Sequence, residues 1–135
     1  MSYATTNDLA LRLGATVYGE IYPEETEALN DLAAAQAEID GNLACRYETP
    51  VTAEGVQELL KDWNLTLAEE RAAARPVGAQ FTEKVKLRVE QVRKYLEMIR
   101  GGTFKLAGVE ESDAGVFTLY EAEEPVFGRE NLKGF

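Results

Sequence analysis

The sequence feature that most constrains the fold is a stripe of residues at helical spacing between Leu29 and Tyr47. Its members recur every three or four positions, which places their side chains on one face of an α-helix. Pro23 and the two glutamates after it favour a helix start, and Pro50 disfavours helical geometry in the residue before it. We therefore predict one long core helix from about residue 23 to residue 47. The stripe comprises Leu29, Leu32, Ala33, Gln36, Ile39, Leu43 and Tyr47.

A short helix is predicted near the N-terminus. Thr5 or Thr6 can cap its first turn, and Gly14 is a typical residue at a helix C-terminus. Three leucines, Leu9, Leu11 and Leu13, are predicted to form its apolar side. Residues 15–23 are predicted to be a connecting loop whose apolar side chains pack on the core.

Two further helices are predicted after Pro50. Thr52 can cap the first, which carries Trp63 as a core residue and continues through residues 68–75. The second begins at Thr82, and the Gly101–Gly102 pair ends it. Its apolar stripe is Val85, Val89, Val92, Leu96 and Ile99. The fold class is therefore mainly α: a compact bundle of about four helices.

The last part of the chain differs from the helical segments. Short apolar pieces alternate there with acids, glycine and proline, and the alternation in residues 116–120 permits a strand. We predict two regions, a helical domain of residues 1–107 and an extended, partly β C-terminal tail of residues 108–135, acidic and aromatic. The tail either folds back on its own helices or contacts another molecule.

The net charge of −10 argues against two classes of partner. Phosphate backbones and anionic lipids both repel an acidic protein, so neither sequence-specific nucleic acid nor a membrane is an expected partner. The charge is uneven along the chain: residues 1–51 carry −7, residues 52–107 carry +2 and residues 108–135 carry −5. Acidic ends and a mildly basic middle can pair within one chain or between copies.

The composition also excludes most kinds of catalytic site. There is no histidine, which excludes His-based acid–base catalysis and the common zinc sites. Cys45 is the only cysteine, so no intrachain disulfide can form, and we predict that it is a buried small hydrophobe. Paired carboxylates such as Asp31 with Glu38, or Glu69 with Glu70, are predicted to be solvated faces. We expect no catalytic residue, no cofactor and no metal site, and hence no enzyme.

The helix after Thr82 carries a basic face, for which three interpretations remain. It is an ordinary solvated surface, a contact surface for an acidic partner such as the chain's own acidic ends, or a nucleic-acid surface. Three acids interrupt the face and the whole chain is acidic, so a protein contact is favoured over nucleic acid. Aromatic residues of the tail are the other predicted contacts between subunits. The predicted interface residues are Lys84, Arg88, Arg93, Lys94, Arg100, Phe117, Tyr120, Phe127 and Phe135.

The N-terminus lacks the pattern of a signal peptide, and no window has the roughly 18 apolar residues needed to span a membrane. We therefore expect a chain that stays or assembles inside a cell.

Four stretches resemble one known family. They are Y-A-T-x-x-D-L at the start, A-x-A-E-I-D-G-N-L-A-C-R-Y-E-T-P-V up to Val51, Y-L-E-M-I-R-G-G-T-F-K-L near residue 100, and V-F-G-R-E-N-L-K-G-F at the end. Together they resemble the head-tail connector proteins of Mu-like phages and prophages. The resemblance implies a structural subunit of the virion, made in the bacterial cytoplasm, that lies at the head-tail junction. It further implies a ring of copies, about twelve in the virion, between portal and tail proteins, where the ring extends the DNA channel.

Two other hypotheses are open. One is a small all-helical adaptor or regulatory module that binds a single protein partner. The other is a hydrolase that uses two carboxylates, which would need a deep pocket with acids about 5 to 10 Å apart. The three hypotheses differ in assembly state and in the surface that they require.

Overall fold

The computed structural model describes residues 2–77 and 82–109, and the predictions made for the C-terminal tail beyond Val109 lie outside these residues. The described residues are mainly helical and contain no strand. In chain order the helices are α1 (Thr6–Leu13), α2 (Ala15–Ile21), α3 (Glu25–Leu43), α4 (Gln57–Ala73) and α5 (Glu83–Gly101), with one 3-10 turn at Glu54–Val56.

The prediction of a loop over residues 15–23 is wrong for most of that segment, because α2 occupies it. Gly14 has a positive φ of 94°, which ends α1 and lets a second helix start at once in a new direction. Ile21 and Tyr22 at the end of α2 are buried and anchor it to the core. The predicted start of α1 is confirmed. Thr5 accepts a hydrogen bond from the Asp8 backbone N–H, and the Asp8 carboxylate accepts one from the Thr5 backbone.

Helix α4 is the centre of the bundle. Residues 63–69 are all buried, because α1, α3 and α5 pack around this helix. Trp63 lies at the core, as predicted, and stacks on Tyr95 of α5 with ring centroids 6.0 Å apart. Asn64 is fully buried as well, and neither of its amide atoms has a hydrogen-bond partner among the described residues.

Helix α3 confirms the long core helix, although it ends at Leu43 rather than near Tyr47. Three stripe residues are not in the core: Leu29 is 51% exposed, Ala33 is exposed too, and Gln36 is half-buried. The face that packs on the bundle is rotated toward Ala28, Leu32, Ala35, Ile39 and Leu43, all of them buried. Two adjacent apolar lines on one helix give the same spacing, so periodicity alone does not identify the buried one.

Other burial predictions fail for the same reason. Leu11 of α1 is 76% exposed, because Leu9 and Leu13 face the bundle. Cys45 is half-buried rather than buried. The prediction for α5 holds: Thr82 caps its N-terminus, and Val89, Val92, Leu96 and Ile99 are buried.

After α5 the chain turns back over the bundle. Gly102 takes the left-handed conformation with φ 85°, and Phe104 packs on Tyr95 at a ring distance of 5.3 Å. The Leu106 backbone N–H then donates to the Tyr47 hydroxyl at 2.9 Å, and Leu106 itself is buried. This return segment brings Val109 to the loop after α3.

Candidate functional site

The basic face of α5 is partly used inside the molecule. Arg93 donates to the Glu38 carboxylate on α3 at 2.8 and 3.2 Å and to Glu70 on α4 at 2.9 Å. These two carboxylates raise the pKa of Arg93. One guanidinium therefore joins three helices, and it is an internal clamp rather than a free contact residue.

Arg88 is engaged in a similar way. Its guanidinium lies 3.7 Å from Glu69, a buried carboxylate of α4 that also accepts a hydrogen bond from Arg12 of α1 at 3.2 Å. Two of the five cations predicted for the interface, Arg88 and Arg93, thus have internal partners. Of their acceptors, Glu69 is buried, which corrects the prediction of a solvated carboxylate, whereas Glu38 and Glu70 are half-buried.

Lys84, Lys94 and Arg100 are exposed and form no ion pair with another described residue. They lie among acids, however, because Glu83, Glu90 and Glu97 share the outer side of α5. Counting Lys86 as well, four cations face three carboxylates, a net of +1. The aromatic interface residues Phe117, Tyr120, Phe127 and Phe135 fall outside the described residues.

A second ionic cluster joins α2, α3 and the end of α4. The Arg75 Nε and Nη2 donate to the two oxygens of Asp31 at 2.8 and 3.0 Å. The buried Tyr22 hydroxyl donates to the same carboxylate at 2.6 Å, and the Arg75 guanidinium lies 5.1 Å from the Tyr22 ring centroid. Burial raises the pKa of Asp31, but the Arg75 and Tyr22 hydrogen bonds outweigh it and hold this pKa below its ordinary value.

Tyr3 joins the N-terminal segment to α3 and to the loop after it. Its hydroxyl donates to Asp40 at 2.6 Å and accepts from the Val51 backbone N–H at 2.9 Å. Burial, followed by the hydrogen bond to Asp40, raises the pKa of Tyr3. The Tyr3 backbone N–H also donates to Gln36 at 3.1 Å, so residues 2–4 are fixed against the outer part of α3.

Residues 2–4 and helix α3 form an open groove that the sequence analysis did not predict. The α3 groove, with a volume of about 620 Å³, lies between residues 2–4 and the outer side of α3. Its walls are mostly small or apolar, and the one carboxylate in it, Asp40, is already hydrogen-bonded. The lining residues are Ser2, Ala4, Leu29, Asn30, Leu32, Ala33, Gln36, Ala37 and Asp40. The sequence held one indication of this groove, the absence of charged residues at successive outward positions of α3.

The described residues contain no cluster of three or more Asp, Glu, Cys or His side chains able to hold a metal ion. None of the helices in this part of the chain is long and apolar enough to cross a membrane. Asp31, Glu38, Glu69 and Glu70 accept hydrogen bonds in ion pairs with arginines.

The described residues thus form a small all-helical domain with ionic clamps between helices and an open groove beside α3. The model of one family, described as "Bacteriophage Mu, Gp36", matches residues 3–116 of the chain. The chain belongs to this family. It is therefore a Mu-like phage protein, and the family indicates a virion-associated structural or assembly role. No match was found among curated proteins or among solved structures.

Proposed function

We propose that this chain is a structural, non-catalytic subunit of a phage or prophage head-tail connector. Copies of it form a ring between the portal and the tail proteins and extend the DNA channel at the head-tail junction. The observation that carries the proposal is the family match over residues 3–116, which spans the described helical domain. The four sequence stretches that resemble head-tail connectors support the same role.

The physical character of the chain is consistent with that role. A ring subunit needs a rigid body, and Arg93 and Arg75 each tie together helices that are distant in sequence. The net charge of −10 suits a channel wall that repels DNA and lets it slide. Lys84, Lys94 and Arg100 project from α5, where acids of a neighbouring copy can meet them in a head-to-tail ring contact.

The second candidate function is an adaptor that binds one protein partner. The open α3 groove favours it, because an apolar groove on a small helical domain can accept a segment of another protein. The two candidates differ in stoichiometry: a connector gives closed rings on the portal, and an adaptor gives a complex with one partner chain.

Co-expression with the portal protein of the same phage or prophage tests the proposal. Mass photometry and electron microscopy should detect closed rings of this chain at one end of the portal. Reversing the three free cations of α5 (K84E, K94E, R100E) should weaken ring formation while circular dichroism stays unchanged. Reversing Arg71, an exposed cation of α4 outside this set, is a single-charge control, compared with K84E, K94E and R100E made one at a time. Portal particles that stay bare in the presence of excess wild-type chain would contradict the connector role.

A further inference from the structure

The outer face of α3 is unusual for an exposed surface of this protein. In a chain in which 28% of residues are charged, seven exposed positions along the helix carry no charge. We call them the uncharged face: Thr26, Leu29, Asn30, Ala33, Ala37, Gly41 and Ala44. By comparison, the outer side of α5 alternates acids and cations, as a solvated helix does. The uncharged face therefore has the composition of a covered surface although the described residues leave it open.

Part of this face forms a wall of the α3 groove. Ala33 and Ala37 have small side chains, and Leu29 beside them is 51% exposed, so the wall has both room and apolar area. A Cβ added at Gly41 would have no described atom within 4 Å. Around Gly41, then, no described segment packs against this face.

The described chain ends close to this groove. Val109 and Gly108 line a small cleft with the loop of residues 48–53 after α3. The Val51 N–H in that loop donates to the Tyr3 hydroxyl, and the same hydroxyl donates to Asp40 in the groove. Tyr3 therefore bonds to residues of both the cleft at Val109, where the described chain ends, and the α3 groove.

The sequence beyond this point has a suitable length and character. The chain continues for residues 110–135, with a polar stretch over 110–115 and the apolar run Val116-Phe117-Thr118-Leu119-Tyr120. Seven extended residues from Val109 to Val116 span about 23 Å. The helix from Ala44 back to Leu29 rises about 22 Å, so the apolar run can lie along the uncharged face.

We infer that the α3 groove binds residues Val116–Tyr120 of the same chain. Aromatic side chains fill the space that Ala33 and Ala37 leave, and the face holds no unpaired carboxylate to repel the acidic segment. A short tether keeps the segment at a high effective concentration, which favours its own chain over a second copy. The outer side of α5 is a poorer binding site for the acidic segment, because the four cations and three carboxylates there give a net charge of only +1. This contact goes beyond the proposed connector role and does not depend on it.

Photo-crosslinking of the full-length chain tests this inference without a portal. A benzophenone amino acid is placed at Leu29 in the groove, or at Leu87 on α5 as a matched control that is 57% exposed. Equal amounts of unlabelled and ¹⁵N-labelled protein are mixed, irradiated and digested, and mass spectrometry identifies the joined peptides. The expected result is a crosslink from position 29 to residues 116–120 within chains of one label, with none from position 87.

The other outcomes overturn the inference. Mixed-label crosslinks to residues 116–120 would assign the groove to the segment of a second copy. Crosslinks to a helix of another copy would make the uncharged face a contact between copies. The absence of any crosslink from position 29 to residues 116–120, or a crosslink to them from position 87 alone, would also refute it. None of these results bears on whether the chain forms rings on a portal.

A second measurement uses protease access. Chymotrypsin cleaves after Phe117 and Tyr120, and a bound segment is cleaved slowly. Placing two glutamates in the groove (A33E, A37E) should raise this cleavage rate by about tenfold or more, since it opposes burial of an aromatic side chain. The control L87E should leave the rate unchanged. Equal rates in wild type and the groove variant would contradict the inference.

Discussion

At the scale of single residues, Asp31 and Arg75 show how a charge can be kept inside a small helical domain. The carboxylate is buried, and three hydrogen bonds from Tyr22 and Arg75 replace the water that it has lost. Such a charge is tolerated only while its partners are present, because an unpaired buried carboxylate is costly.

Replacing Arg75 by methionine should lower the free energy of unfolding by about 2 kcal/mol, since Asp31 would keep only the Tyr22 hydrogen bond. The alternative R100M removes an exposed arginine of α5 and should cost less than about 1 kcal/mol. Urea denaturation followed by circular dichroism compares the two variants. Equal destabilisation would mean that the Asp31–Arg75 pair contributes nothing specific.

The same pair predicts a dependence on pH. The pKa of Asp31 is lower in the folded chain than its ordinary value, so the stability that it contributes is complete at neutral pH and is lost as the pH falls through the folded pKa. D31N lacks this titration. The difference in unfolding free energy between wild type and D31N should therefore be constant from about pH 7 to pH 5 and shrink below about pH 4. A difference that grew on acidification would have the wrong sign.

At the scale of elements, local signals in the sequence predicted most of the helices. The Thr5 cap, the Thr82 cap and the Gly101–Gly102 pair each act on their own turn of backbone, so their effects can be read locally. The side of α3 that is buried could not be read in this way, because Leu29 and Ala33 are as apolar as Ala28 and Ala35. The positions of α1, α4 and α5 alone determine which apolar line of α3 is buried.

The candidate site was predictable to a smaller extent for the same reason. Arg88 and Arg93 are identical in type to Arg100 and lie on the same helix, yet their partners on α3 and α4 come from distant parts of the chain. The α3 groove depends on residues 2–4 lying against Gln36 and Asp40, a contact that spans more than thirty residues. Spacing within one helix does not contain such information.

Two glycines provide an element-scale prediction. In a chain ended after Val109, G41A should raise the free energy of unfolding by about 0.5–1 kcal/mol, because Gly41 lies inside α3 and a Cβ there meets no described atom. G102A should destabilise it by at least about 1 kcal/mol, because its φ is positive and a Cβ would lie 2.6 Å from the Arg46 guanidinium. Thermal unfolding measures both. A destabilising G41A would indicate that a segment does pack against this point of α3.

At the scale of the whole molecule, the buried core of the described residues runs from Tyr3 to Leu106, and Val109 packs against it half-buried. The buried residues come from every helix and from the return segment after α5, and they form one continuous cluster. We expect such a cluster to unfold as a unit, with the return segment as part of the domain.

A chain ended after Val109 tests this view. It should keep its helical circular dichroism and unfold in a single transition, because every described core residue is retained. Its unfolding free energy should fall by no more than about 3 kcal/mol for each aromatic side chain that residues 116–120 bury in the α3 groove. A chain ended after Gly102 is the control. It also loses the packing of Phe104 on Tyr95, the buried Leu106 side chain and the hydrogen bond from Leu106 to Tyr47. This shorter chain should be markedly less stable than the chain ended after Val109. Urea titrations compare the free energies of unfolding of the two truncated chains and of the full-length protein. Equal stability of the two truncated chains would show that the return segment contributes nothing to the core, and loss of the single transition in the longer one would show that the core extends beyond Val109.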